Sequence, residues 1–299
     1  MVKYKSSAGG RVFDVFNHTA LLLFTLLCIY PFYYILMYSL SDSAAVSNAS
    51  PLIIPVNFTL KTYKALLGQA SIYMAMFISM SRAIVGTVIT VFCCSLFAYQ
   101  LTQKDLFLRG VIYRYTLITM YVSAGLIPWY MTMMMLRLQN NYLLYVLPSA
   151  VSAFYVILIK TYIEQIPPSL EESARIDGAG YLKIFFRIIF PLSKPIIAAI
   201  AVFSAVGQWN SWTDNLYLTS SVTSLTTLQY LLYQMLSTNQ ANAMAGSLTS
   251  GLSTMHPAVV SSMSIKMTIS MITVIPILIV YPLMQKYFVK GVMIGAVKG

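Results

Sequence analysis

Long apolar runs separated by short polar breaks make up most of the chain. The first runs from about Val15 to Leu40, with Pro31 inside it. Others cover about Ile72–Leu101, Ile112–Leu136, Leu143–Tyr162, Pro195–Trp209 and Ile265–Met284. A helix that crosses a bilayer needs roughly 20 mostly apolar residues. The pattern therefore predicts an all-α membrane protein with six transmembrane helices and both termini on one side. The fifth run is short by that rule, so residues past Trp209 are expected to extend it. Gly125 and Pro128 permit a bend in the third, and Pro31 permits one in the first. Between the runs, Asp42 to about Ala70 reads as a loop holding a short helix near Leu60–Leu67. Residues 164–195 form a mixed, charged loop. Residues 210–262 are polar, with one amphipathic helix predicted over Leu225–Leu236. Residues 1–14 and 287–299 are the terminal segments flanking a membrane domain over 15–286.

Composition agrees with this reading. Of 299 residues, 58% are hydrophobic and only 9% charged, with a mean hydropathy of +0.74. A soluble domain carries about 25% charged residues. The net charge of +11 raises nucleic-acid binding as an alternative, but the basic residues lie between apolar runs, not on one soluble face. Their placement reports topology instead. With six spans, Lys3, Lys5, Arg11, Lys104, Arg109, Arg114, Lys160, Arg175, Lys183, Arg187, Lys194, Lys286, Lys290 and Lys298 fall on the side of the termini. Lys61, Lys64, Arg82, Arg137 and Lys266 fall on the other. The positive-inside rule then puts both termini and the 164–195 loop in the cytoplasm. Arg82, Arg114 and Arg137 are expected to be interface anchors, though an acidic ligand could exploit them. The basic start is not read as a cleaved signal, because the apolar run behind it exceeds an h-region of about 7–15 residues. Cys28, Cys93 and Cys94 sit in apolar runs and read as small buried hydrophobes. His18 and His256 have no metal or catalytic spacing around them.

Glu171 to Pro195 stands apart. It holds Glu171, Glu172 and Asp177 among the chain's eight acids. Ser169 is placed to cap a first helix whose opening turn carries Glu171 and Glu172. Gly178 and Gly180 break that helix. A second helix is expected from Tyr181 to Phe190, stopping before Pro191. Leu182, Phe185, Phe186 and Ile189 fall at i, i+3, i+4 and i+7, which predicts one apolar face. Such a face could lie on lipid, pack on the chain's own core, or enter a groove on a partner. The chain has no phosphate loop of the GxxxxGK[ST] kind, no acidic pair for a metal, and no GxSxG turn. Deeply placed acids are not evident either, since Asp14 and Asp214 lie at predicted span ends. A proton-driven carrier would lack its carrier group. A secondary transporter or channel without an ATPase, and a membrane scaffold, remain the competing classes.

The same loop resembles the EAA loop of permease subunits of bacterial ABC importers. Glu172-Ser173-Ala174 stands for the triplet, Asp177-Gly178-Ala179 for the Asp-Gly-Ala of the carbohydrate branch, and Phe190-Pro191-Leu192 for the Leu-Pro position. Ser173 and Phe190 depart from the pattern. Tyr287 to Gly291 and Gly295 to Gly299 resemble the C-terminal ending of sugar permeases similar to the maltose transporter's G subunit. The wording also resembles the branch associated with complex oligosaccharides, including polygalacturonan and alginate fragments.

This resemblance implies a type I ABC importer (MetI-like) permease fold in the bacterial cytoplasmic membrane. It implies a second permease subunit in a heterodimer, two ATPase subunits that bind ATP and Mg, and an extracytoplasmic solute-binding protein. No cofactor and no enzymatic activity are expected in this chain. The coupling residues it points to are Glu171, Glu172, Ala174, Asp177, Gly178, Ala179, Leu182, Phe185, Phe186 and Pro191, with Lys298 and Gly299 as a C-terminal ATPase contact. For the solute, aromatic and amide groups in Gln208, Trp209, Asn210 and Trp212 are the leading candidates. Their other role would be an aromatic belt at a helix end. Tyr121, Trp129 and Tyr130 are further candidates.

Overall fold

The computed structural model describes residues 8–46, 53–236 and 261–296. Among these every regular element is a helix. In order they are α1 (Ala8–Ser39), α2 (Ser43–Val46), α3 (Lys61–Leu67), α4 (Ala70–Thr102), α5 (Arg109–Tyr121), α6 (Leu126–Met135), α7 (Ala153–Ile163), α8 (Pro168–Ile176), α9 (Tyr181–Leu192), α10 (Lys194–Asn210), α11 (Leu228–Leu236) and α12 (Ser262–Ala296). Short π or 3-10 turns occur at Tyr142–Tyr145, Asn215–Thr219 and Thr223–Leu225.

Among the described residues, three helices are long and apolar enough to cross a membrane: Val12–Ser39 within α1, Ala70–Thr102, and Ser262–Pro282 within α12. The α9–α10 pair is a fourth if its 81° bend is read as one broken span. The third and fourth apolar runs are not continuous helices. The third is cut at Val122–Gly125, where Gly125 adopts φ 82°, a conformation open to glycine. In the fourth, a 3-10 turn at Tyr142–Tyr145 and non-helical chain around Pro148 precede α7, which has only 11 residues. Pro148 lacks a donor and restricts Leu147, which explains the lost turns.

By internal contacts the chain divides into two units. One comprises Met1–Gly68 and Gln234–Ile272; the other comprises Gln69–Tyr233 and Thr273–Gly299. In the first, α1 runs unbroken through Pro31. Its side chains from Val12 to Tyr33 are exposed. An apolar helix exposed all round needs lipid or a partner to cover it. Cys28 lies on this exposed stretch, so it is not the buried hydrophobe expected; Cys94 is. Tyr38 and Val46 form a small core with Tyr34, Met37, Val56 and Met267.

The second unit is built around α4. Val91, Cys94, Ala98, Tyr99 and Leu101 of this helix pack with Val156, Ile159 and Ile163 of α7, Ile184, Phe185 and Ile189 of α9, and Ile200 of α10. Towards its other end, Ile78 joins a core with Met133, Leu138, Leu144, Tyr145, Val146 and Leu218. In lipid such packing rests on van der Waals contact more than on water exclusion. The predicted tail past Lys286 is not separate: α12 continues to Ala296.

Candidate functional site

Two polar assemblies interrupt the apolar second unit, one at each end of α4. The first is the 164–195 loop. Its α8 has no buried residue, and Ile176 is 87% exposed. Ser169 does not cap it. Pro168 occupies the first turn, and no side chain caps the start; proline suits that position because the amide it lacks would be unpaired there anyway. The helix ends in a Schellman turn. Ala179 N–H donates to Ala174 C=O at 2.9 Å and Gly178 N–H to Arg175 C=O at 3.0 Å, with Gly178 at φ 76°. The Asp177-Gly178-Ala179 triplet is therefore a stop signal in backbone geometry.

Beyond the turn, α9 does not stop before Pro191. A π turn over Phe185–Ile189, in which Phe190 N–H donates to Phe185 C=O, precedes the proline, and the helix reaches Leu192. The wider turn changes the carbonyl register, so the missing amide of Pro191 breaks nothing. It also splits the predicted apolar face. Ile184, Phe185 and Ile189 are buried, whereas Leu182 and Phe186 are 63% and 51% exposed.

Polar contacts tie the loop to the end of α4. Arg175 donates to Glu171 at 2.9 Å, to Gln103, and to Asp105 at 3.5 Å. Its guanidinium lies 4.7 Å from the centre of the Tyr181 ring. The bond to Glu171 pushes its pKa further up, so it stays charged. Tyr99 O–H donates to Glu171 at 3.0 Å and Tyr181 O–H to Asp105 at 3.1 Å. Glu172 and Asp177 are exposed, Ala174, Ala179 and Pro191 half-buried. The loop thus presents exposed apolar and acidic groups on a tethered base. Lys298 and Gly299 lie outside the described residues.

The second assembly was not anticipated. Arg82 is 4% exposed and so is no interface anchor. It donates to Gln208 Oε1 at 2.9 Å, to Ser211 C=O at 3.3 Å, and with both Nη atoms to the Asp214 carboxylate, one bond at 3.1 Å. It also stands 4.6 Å over the Tyr145 ring. Asp214, four residues past the end of α10, is 6% exposed, so this acid at a predicted span end is buried within the chain. Gln208 Nε2 donates to Ser149 Oγ at 2.5 Å. Asp214 also accepts from Asn215 N–H at 2.9 Å, opening the π turn. Asn215 Oδ1 accepts from Thr227 N–H at 2.7 Å, and Tyr145 O–H donates to Leu225 C=O at 2.6 Å. The network joins α4 to the stretch after α10 and leaves the guanidinium matched by acceptors. Arg114 and Arg137 are exposed.

Of the solute candidates, Gln208 is inside this network. Trp209 is 7% exposed, with its indole N–H donating to Thr273 C=O at 3.2 Å. Asn210, the last residue of α10, is exposed. Trp212 stacks on Tyr233 at 4.2 Å. Tyr121 is 80% exposed and Tyr130 half-buried. Among the described residues no cluster of His, Cys, Asp or Glu could hold a metal ion.

Residues 92–294 match the family model of the binding-protein-dependent transport system inner membrane component. The chain belongs to this family. It is 37% identical over 291 residues, covering 97% of this chain and 99% of the relative, to the polygalacturonan/rhamnogalacturonan transport system permease protein YtcP of Bacillus subtilis. It is also 37% identical to Protein LplC of the same organism, over 98% of this chain and 97% of that one. Among solved structures it resembles a chain of a bacterial ABC transporter involved in the import of the acidic polysaccharide alginate. There the TM-score is 0.86 at 29% identity, covering 96% of this chain and all of the other. The protein is thus a membrane permease component of an ABC importer.

Proposed function

We propose that the chain is one permease subunit of an ATP-driven importer for oligosaccharides, acidic fragments of the pectin or alginate kind among them. The observation that carries the coupling role is the exposed 164–195 loop, braced on α4 by Arg175 and Tyr99. Six spans with both termini in the cytoplasm make this loop intracellular, in line with the basic residues around it. One of two ATPase subunits, which bind ATP and Mg, docks on it through Glu171, Glu172, Ala174, Asp177 to Ala179, Leu182, Phe185, Phe186 and Pro191. Buried Phe185 and half-buried Pro191 shape the docking face from beneath. Lys298 and Gly299 add a second contact. A second permease subunit completes the membrane path, and an extracytoplasmic binding protein delivers solute to the 210–262 side. Gln208, Trp209, Asn210, Trp212, Tyr121 and Tyr130 border the path, Gln208 and Trp209 by holding its wall in shape. The sugar class is supported by what the YtcP relative and the alginate importer are named for.

Reconstitution tests this. The complex purified through this chain is expected to contain ATPase subunits and to import labelled trigalacturonate only with ATP and binding protein. Glu172→Lys and Gly178→Pro are expected to uncouple ATP hydrolysis from import. Saccharide uptake by the purified chain alone would refute the proposal.

A further inference from the structure

A cleft of about 510 Å³ opens beside the break between α5 and α6, within the range of small-molecule sites. Trp129 contributes its aromatic surface, and Ser123, Thr132 and Thr213 contribute hydroxyls. No charged side chain lines it. The break falls in the middle of a run of membrane-crossing length, from Arg109 to Met135. There Ser123, Ala124 and Leu126 donate no backbone hydrogen bond among the described residues. Non-helical backbone at membrane depth persists where it is buried in protein or lines a wet or ligand-filled space, not where it faces lipid; residues 121–128 are exposed in this chain, which favours the second. The hydroxyls are suitably poised. Thr132 Oγ1 donates to Pro128 C=O at 2.7 Å, leaving its oxygen free to accept. Ser123 Oγ accepts from Gly125 N–H at 3.4 Å, leaving its own proton free to give. Thr213 is exposed.

We propose that this cleft is a saccharide subsite, taking a sugar ring with its C–H face on Trp129 and its hydroxyls on Ser123, Thr132, Thr213 and the unpaired amides. The class follows from the combination: an uncharged aromatic surface flanked by both donors and acceptors suits a polyhydroxylated ring better than a carboxylate or a lipid chain. An acidic sugar would sit here by its hydroxyl face, with its charge directed away. Arg82 is not the complementary anion site, because its donors are already taken by Asp214, Gln208 and Ser211. The inference rests on the saccharide-import reading above.

The test uses the complete transporter in proteoliposomes with its binding protein, and measures labelled trigalacturonate and maltotriose imported per ATP hydrolysed. Trp129→Ala is expected to lower import per ATP at least fivefold while hydrolysis stimulated by loaded binding protein stays within twofold of wild type. Trp129→Phe, which keeps a ring, is expected to stay within twofold on both. Thr213→Val, an exposed change with little bearing on folding, is expected to lower import per ATP about threefold. Unchanged import per ATP in Trp129→Ala and Thr213→Val would overturn the subsite. So would a parallel fall of import and hydrolysis, which marks a structural role. If the wild-type complex imports neither saccharide, the saccharide reading itself fails and the subsite falls with it.

Discussion

Removing Asp214 alone should be far more damaging than removing any other acid in the second unit. The side chains of Arg82 and Asp214 are only 5% and 9% exposed. Asp214→Ala would leave a guanidinium enclosed with Gln208 and Ser211 C=O as its remaining acceptors. It would also remove the acceptor for Asn215 N–H. Breaking one side of a buried pair costs about 3–5 kcal/mol, because an uncompensated charge remains. An exposed pair contributes about 0–1 kcal/mol. Replacing both partners with apolar residues of similar size removes the charge together with its penalty. Arg82→Met combined with Asp214→Leu is therefore expected within about 2 kcal/mol of wild type. Reversible SDS unfolding of the purified subunit measures the four corners of the cycle, namely wild type, Arg82→Met, Asp214→Leu and the double variant, with Asp214→Ala alongside. A single-variant loss below about 1 kcal/mol, or a double variant as damaged as the two singles added together, would refute the burial argument.

Three further outcomes follow from the geometry. In Gly86→Ala the new Cβ would lie 2.6 Å from Gln208 Nε2 and 2.8 Å from its Cδ; the displaced amide should cost about 1–3 kcal/mol, read as a lower unfolding midpoint. Arg175→Ala should change stability by no more than about 1 kcal/mol, since its ion pairs are exposed, yet import per ATP should fall as the loop loses its brace; full coupling in this variant would remove Arg175 from the mechanism. In a background lacking Cys28, Cys93 and Cys94, Ser169→Cys should react with an impermeant maleimide only from the cytoplasmic side and Ser220→Cys only from outside. Labelling of both from one side would overturn the six-span topology.

How much could be read from the sequence depended on distance along the chain. Helices α4 and α10 were legible to within a residue or two, because each is a single apolar run with polar ends, and the short α3 was placed equally well within its polar loop. The helix break at Gly178 was equally legible, being set by a local glycine. What failed was register and pairing. The π turn at Phe185–Ile189 shifts Phe186 outward, which a fixed 3.6-residue period does not show. The third and fourth runs looked continuous because hydropathy does not sense the conformation of Gly125 or the chain around Pro148. The Arg82–Asp214 pair joins residues 132 apart. A signal for it did exist. Arg82 is the lone charge in a 33-residue apolar helix, and Asp214 is the only acid after Asp177. A buried charge demands a partner, and few were available.

The placement of those two polar assemblies on one helix has a mechanical consequence. Arg82 and Tyr99 are about 26 Å apart along α4 at 1.5 Å per residue, with no proline between them. Tyr99 holds Glu171 of the loop, and Arg82 holds Asp214 beyond α10. A helix without a joint turns as a piece, like a spindle. Force applied to the loop would reach the far clasp as rotation, without being absorbed on the way.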